Sequence, residues 1–264
     1  MRLKGRRLGV LAHAASVDRN LLHIVDLLNA SGIEPRVLFA PEHGLFGAEQ
    51  DMVPVAGTRF GKIPVVSLYG SSVEQLRPPR DALSEIELLV VDLQDIGSRY
   101  YTYAATMRYC LEECSRSGVG VLVLDRPNPL GGIRMEGPLL APGLRSFVGE
   151  FEVPVRHGLT IAELARCAVS EGIDVELDWV PMKGWKRSMW FDDTGLPWVM
   201  PSPNMPSLDT AIVYPGMCLL EATNVSEGRG TTRPFEIFGA PWLDGRQLKV
   251  LLQPRLEGVA LRPL

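Results

Sequence analysis

Leu88-Leu89-Val90-Val91-Asp92-Leu93, then a polar break, an amphipathic stretch over Tyr101–Arg116, Gly118, and Val119-Gly120-Val121-Leu122-Val123-Leu124 together decide the fold. Each apolar run is short and almost continuously hydrophobic, as a strand covered on both faces requires. The stretch between them has the length of a helix and stops at a glycine suited to a left-handed cap. Strand, helix and strand in this order read as a parallel pair joined by a crossover helix.

The same texture recurs on the N-terminal side. Leu8–Ala12, Arg36–Phe39 and Pro64–Leu68 read as further strands. A helix is expected through Leu21, Leu22, Val25 and Leu28, with Ser16 and Asp18 offering N-cap oxygens and Gly32 stopping it. The expected fold class is therefore α/β, a mostly parallel sheet joined by crossover helices. From about Pro127 the texture changes, with Pro and Gly dense in PNPLGG, EGPLLAPG and PSPNMP, so long ordered loops are expected. A helix near Thr160–Ser170, a strand near Asp174–Trp179 and a helix over Leu243–Leu252 still stand out. Val259–Leu264 reads as a strand entered and not completed. The expected division is 1–200 for the first domain and 201–264 for a loop-rich segment with the start of a smaller, incomplete one.

The 264 residues are 46% apolar, 22% charged and 7% aromatic, which excludes a disordered chain or a fibre. A net charge of −4 supplies no basic field to attract phosphate backbones or anionic lipid, so neither nucleic acid nor a membrane is an expected partner. No run approaches the roughly 20 apolar residues of a membrane-spanning helix. The start, MRLKGRRLGVLAHAAS, has a basic head without the apolar run and cleavage region of an export signal. A cytoplasmic location is expected for the sequence as written, and an exported one if its true start lies upstream. Cys110, Cys114, Cys167 and Cys218 form no CxxC pair and read as reduced thiols; the histidines show no HxH or HxxxH spacing, and no metal site is expected. No GxGxxG follows the first strand, and neither GxxxxGK[ST] nor GxSxG occurs, so no cofactor is expected.

In an open parallel sheet, ligands sit beyond the carboxyl ends of the strands. Three polar loops lie there: Ala40–Gly47 with Glu42 and His43, Asp92–Tyr103 with Gln94, Asp95, Arg99 and Tyr103, and Asp125–Gly132 with Asp125, Arg126 and Asn128. Glu42 beside His43 also suits a plain surface turn, and Asp95 with Arg99 also reads as an ion pair capping the next helix. Polar forks beside flat aromatic faces are, equally, what a polyhydroxylated ligand needs. Tyr100, Tyr101 and Tyr103 cannot all face one way, so at least one belongs to the core. Pro127 and Pro129 hold Asp125, Arg126 and Asn128 with little entropy left to lose on binding. Glu136 contacts the ligand or caps a turn. Asn204 in PSPNMP and Asn224, Glu227 and Arg229 in NVSEGRGTTRPFE add two more polar, glycine- or proline-rich loops. Carboxylates, amides, tyrosines and arginines without an evident nucleophile fit the cleavage of a glycosidic bond, which needs an acid for the leaving oxygen and a second group for the oxocarbenium-like transition state.

The strings PEHGLFG, DLQDIGSRYYTY, LDRPNPLGG, VPVRHGLTIAELA and PSPNMPSLDTAIVYPGMCLLEATNVSEGRGTTRPFEIFGAPW resemble the exo-β-N-acetylmuramidase family, long known only as an uncharacterised bacterial domain family, over about residues 8–262. The resemblance implies a Rossmann-like N-terminal domain, a smaller C-terminal domain, and removal of β-1,4-linked N-acetylmuramic acid from the non-reducing end of peptidoglycan fragments. Carried onto this sequence, it makes Glu42 the general acid. Glu227 is the first choice for the second role, with Asp95 and Glu136 behind it, unless the substrate's own 2-acetamido group attacks the anomeric carbon. Arg99, Arg126 or Arg229 would pair with the lactyl carboxylate of muramic acid. The chain departs from the family at both ends and at His13, where an amide is usual. A non-catalytic muropeptide or sugar-binding module is the alternative. An ester or amide hydrolase is a third reading, disfavoured because Ser98, Ser202 and Ser226 have no evident His and Asp partners.

Overall fold

A computed structural model describes residues 3–46 and 59–264, so Gly47 at the end of the PEHGLFG turn lies outside the described residues. The chain divides into two compact units, Met1–Pro215 and Gly216–Leu264.

In the first unit, seven strands among the described residues form one sheet: β1 (Leu8–Ala12), β2 (Val37–Ala40), β3 (Arg59–Phe60), β4 (Ile63–Ser67), β5 (Leu88–Asp92), β6 (Gly120–Leu124) and β7 (Leu177–Val180). Their order is β3-β4-β2-β1-β5-β6-β7. Every neighbouring pair is parallel except β3 with β4, a short antiparallel hairpin that caps one edge. The chain leaves β1 toward β2, and later returns to place β5 on the other side of β1. That reversal makes the carboxyl ends of β1 and β5 the switch point of the sheet, where neighbouring loops diverge and open a crevice.

The pleat sorts the side chains. Val10, Ala12, Leu38, Ala40, Val65 and Val90 share one buried cluster with Val25 and Leu28 of α1 (Ile24–Ala30). Residues one step away in each strand, such as Leu11, Phe39, Leu89 and Val91, are fully buried and point to the opposite face. Crossovers are right-handed, so β1-α1-β2 and β5-α3-β6 run in opposite directions along the sheet and place α1 and α3 (Tyr103–Ser117) on opposite faces. Helix α3 ends at Gly118, left-handed at φ 66, as the sequence requires. Helices α2 (Arg80–Ser84) and α4 (Ile161–Ser170) flank α3. Thr160 and Glu163 close a reciprocal capping box at the start of α4. From Pro127 to Leu159 the chain is loop, as expected.

Two expectations need correction. Helix α1 begins at Ile24, with His23 as its N-cap, and Leu21 and Leu22 lie before it and exposed. Asp18 spends its carboxylate on the amides of Asn20 and Leu22, and the Ser16 hydroxyl donates to the Asp92 carbonyl, so neither caps the helix. Local side-chain turns outbid the helical pattern there. Val259–Leu264 forms no strand. The second unit instead carries α6 (Gly245–Leu252), capped by Asp244, and an isolated bridge between Ser226 and Gly239. Helix α5 (Leu208–Met217) contains Pro215 and was hidden in the sequence by its surrounding prolines.

Candidate active site

The carboxyl end of β2 delivers a turn at Pro41–Leu45. Gly44 N donates to the Pro41 carbonyl at 3.0 Å, and His43 and Gly44 both adopt left-handed backbone, φ 70 and 78. Glycine takes that conformation freely, whereas His43 takes it at a cost of roughly 1–2 kcal/mol. The strained turn presents Glu42, 6% exposed. Its Oε2 accepts the Thr102 hydroxyl at 2.7 Å.

Around that carboxylate the Asp92–Tyr103 loop supplies a largely buried polar wall. Tyr103, fully buried, donates its hydroxyl to the Pro201 carbonyl at 2.5 Å and lies 3.4 Å from the Glu42 carbonyl. Tyr101 packs edge-on against Tyr103, with ring centroids 4.7 Å apart. Burial pushes both phenols well above the ordinary tyrosine range, and the nearby negative charge of Glu42 adds to the shift. Tyr100 is half-buried, so core and rim divide the three tyrosines.

Asp95 is 4% exposed. One carboxylate oxygen accepts the Gly97 amide at 2.6 Å and stands 3.2 Å from His157 Nε2, while Oδ1 is buried with no hydrogen-bond partner among the described residues. Buried carboxylate oxygens normally have partners, so this one marks a place where a donor is wanted. Ser98 Oγ, three residues on, is buried and unpartnered in the same way. A Cβ at Gly97 would collide with Asn128 Oδ1, so the glycine lets two rim loops touch.

Several other candidates form the frame of the rim. Gln94 donates its amide to the Asp95 and Pro127 carbonyls, and Asn128 donates to Leu159 O while accepting from Leu130 N. Asp125 accepts from Ala162 N and Thr160 Oγ1, anchoring the start of α4, and burial raises its carboxyl above the usual range. Arg126 grips Asp92 in a two-pronged pair, 2.5 and 3.0 Å, and also reaches the Val17 carbonyl. Arg99 donates to the carbonyls of Pro138 and Val153, fastening the long loop. Glu136, exposed, pairs with Arg156. Asn204 is half-buried within the first unit. In the second unit, Glu227 is held by Arg229 at 3.1 Å, Arg229 also grips Glu221, and Asn224 is exposed.

His13, at the position where an amide is usual in the family it resembles, is completely buried, with Nε2 accepting the Gln94 backbone amide at 2.9 Å. Thr102 stands in the quoted DLQDIGSRYYTY run without having been singled out, and Tyr101, named there with its neighbours, is buried. The signal for Thr102 was its place at the N-cap of α3, where a hydroxyl is normally spent on the helix; here it is turned to Glu42. A cavity of about 480 Å³ opens beside this rim, bounded by Val17, Ile24, Leu27, Leu124, Arg126 and Trp185. Among the described residues, no cluster of three His, Cys, Asp or Glu side chains could hold a metal, and no helix is long and apolar enough to cross a membrane.

The chain is similar to known proteins. The family model described as "Exo-beta-N-acetylmuramidase NamZ, N-terminal" matches residues 8–209, and the corresponding C-terminal model matches residues 212–264. A curated relative from Bacillus subtilis (strain 168), "Peptidoglycan beta-N-acetylmuramidase NamZ", is 45% identical over 98% of this chain and 63% of its own length. The chain thus spans a little under two thirds of that relative. Two solved structures from Bacteroides fragilis NCTC 9343, both DUF1343 family proteins, are similar. BF0371 has a TM-score of 0.90 at 37% identity, covering 99% of this chain and 68% of that one, and BF0379 has 0.78 at 31%, covering 92% and 64%.

Proposed function

The chain belongs to the exo-β-N-acetylmuramidase NamZ family, and from that premise we propose that it is a glycosidase that releases N-acetylmuramic acid from the non-reducing end of peptidoglycan-derived glycans. One observation carries the assignment of the acid. Glu42 is a nearly buried carboxylate on a strained turn at the carboxyl edge of the sheet, with a hydroxyl and two phenolic rings around it. An enclosed carboxyl group of this kind is what acid catalysis of glycoside cleavage uses.

In this reading Glu42 protonates the departing glycosidic oxygen as the C–O bond breaks. The positive charge that develops at the anomeric carbon is met by a second group. Asp95 is favoured within the first unit by its buried, unpartnered Oδ1, which is suited to accept the N–H of a 2-acetamido group and so orient that group's carbonyl for attack. Glu227, the first choice from the sequence, lies in the second unit, where it pairs with Arg229. Arg126 is committed to Asp92 and Arg99 to carbonyls that carry no charge, which favours Arg99 as partner for the lactyl carboxylate.

A chromogenic N-acetylmuramic acid glycoside tests the proposal. The parent chain is expected to release the chromophore, and Glu42→Gln to lose release by a factor of about 10³ or more while still binding the sugar. Binding without release by the parent chain would establish a sugar-binding module instead.

A further inference from the structure

We infer that Thr102 is a positioning residue for Glu42: its hydroxyl fixes Oε2 and strengthens its grip as the carboxyl gives up its proton. The inference rests on the reading of Glu42 as the proton donor. Thr102 Oγ1 lies 2.7 Å from Glu42 Oε2, between side chains 60 positions apart in sequence. Thr102 stands at the N-cap of α3, yet its side chain makes no capping bond. An N-cap hydroxyl normally accepts an amide of the first turn, which stabilises a helix by about 1 kcal/mol. Here it faces the turn after β2 instead, while its carbonyl accepts from Thr106 N in the ordinary helical way. Helix α3 therefore holds the hydroxyl on a rigid backbone.

The chemistry follows from what a hydroxyl does at a carboxyl. When Glu42 is protonated, the contact joins two neutral groups. As the proton moves to the leaving oxygen, Oε2 gains charge and the same contact becomes charge-assisted, roughly twice as strong. An interaction that strengthens along the reaction coordinate lowers the barrier rather than only the ground state. Fixing Oε2 also leaves Oε1 outside this bond and sets the rotation of the carboxyl plane.

The Tyr101 and Tyr103 phenols stand close enough to Glu42 to feel its charge, Asp95 faces Tyr101, His43 follows Glu42 on the turn, and His13 packs edge-on against Tyr103 at 4.8 Å. Valine keeps the shape of Thr102 and serine keeps its hydroxyl, so the two variants together isolate the hydroxyl.

The experiment compares the parent chain with Thr102→Val, Thr102→Ser and Glu42→Gln, measuring kcat and KM for the chromogenic glycoside across pH. Thr102→Val is expected to lower kcat roughly ten- to a hundred-fold with KM little changed. It should also move the high-pH limb of kcat upward by roughly one unit, because the ionised carboxylate loses a donor. Thr102→Ser should restore both. A Thr102→Val profile superimposable on the parent's, or a loss that serine does not restore, would overturn the inference while leaving Glu42 as the acid if Glu42→Gln is inactive. An active Glu42→Gln would instead remove the reading on which the inference stands.

Discussion

Two buried groups in the first unit illustrate how much one side chain can hold. Asp92, its side chain 4% exposed at the end of β5, is gripped by the fork of Arg126 after β6. Arg126→Ala leaves that carboxylate buried without compensation and is expected to cost about 3–5 kcal/mol, read as a shift in the urea midpoint. Replacing both partners, as Asp92→Leu with Arg126→Met, should recover most of the loss. His13 acts through protons. Burial, helped by the charge of Arg126, holds its imidazole well below the usual 6.5 and outweighs the opposing hydrogen bond to the Pro201 carbonyl. Below pH 6.5 the unfolded chain binds a proton there that the fold refuses. Stability therefore falls on acidification, by about 1.4 kcal/mol per pH unit from this group. Asp125 and Glu150, raised by burial, act with the opposite sign at lower pH. Thermal melts between pH 6.5 and 5.5 should show a shallower slope for His13→Gln than for the parent chain.

At the scale of elements, helix ends carry measurable weight. Thr160 accepts the Glu163 amide, and its hydroxyl also reaches Asp125 at the end of β6. Thr160→Ala should lose about 1–2 kcal/mol by chemical denaturation, and Thr160→Ser far less. The parallel strands and α3, α4 and α6 could be read in the sequence because continuous apolar runs, cap residues and stop glycines all pointed one way. The start of α1 could not, because Asp18 and Ser16 are equally good at making local turns and at capping helices. Strand β3, two residues long, has too little pattern to register.

Across the whole molecule, the candidate rim was legible as a set of loops and not as a set of roles. Loop position follows from the parallel sheet, so Glu42, Asp95 and Asn128 were within reach of sequence reasoning. Which of them spend their polar atoms on carbonyls and which keep them for a ligand depends on contacts between segments far apart in the chain. Gln94 and Asn128 turn out to tie loops together, whereas Thr102, ordinary in sequence, meets Glu42.

The tie from the Tyr103 hydroxyl to the carbonyl of Pro201 spans 98 positions, well past β7. A nascent chain emerging from the ribosome can therefore complete its sheet while this phenol still waits for its acceptor. Such a chain, stalled before Pro201, has every strand described here and a candidate rim still missing one of its ties.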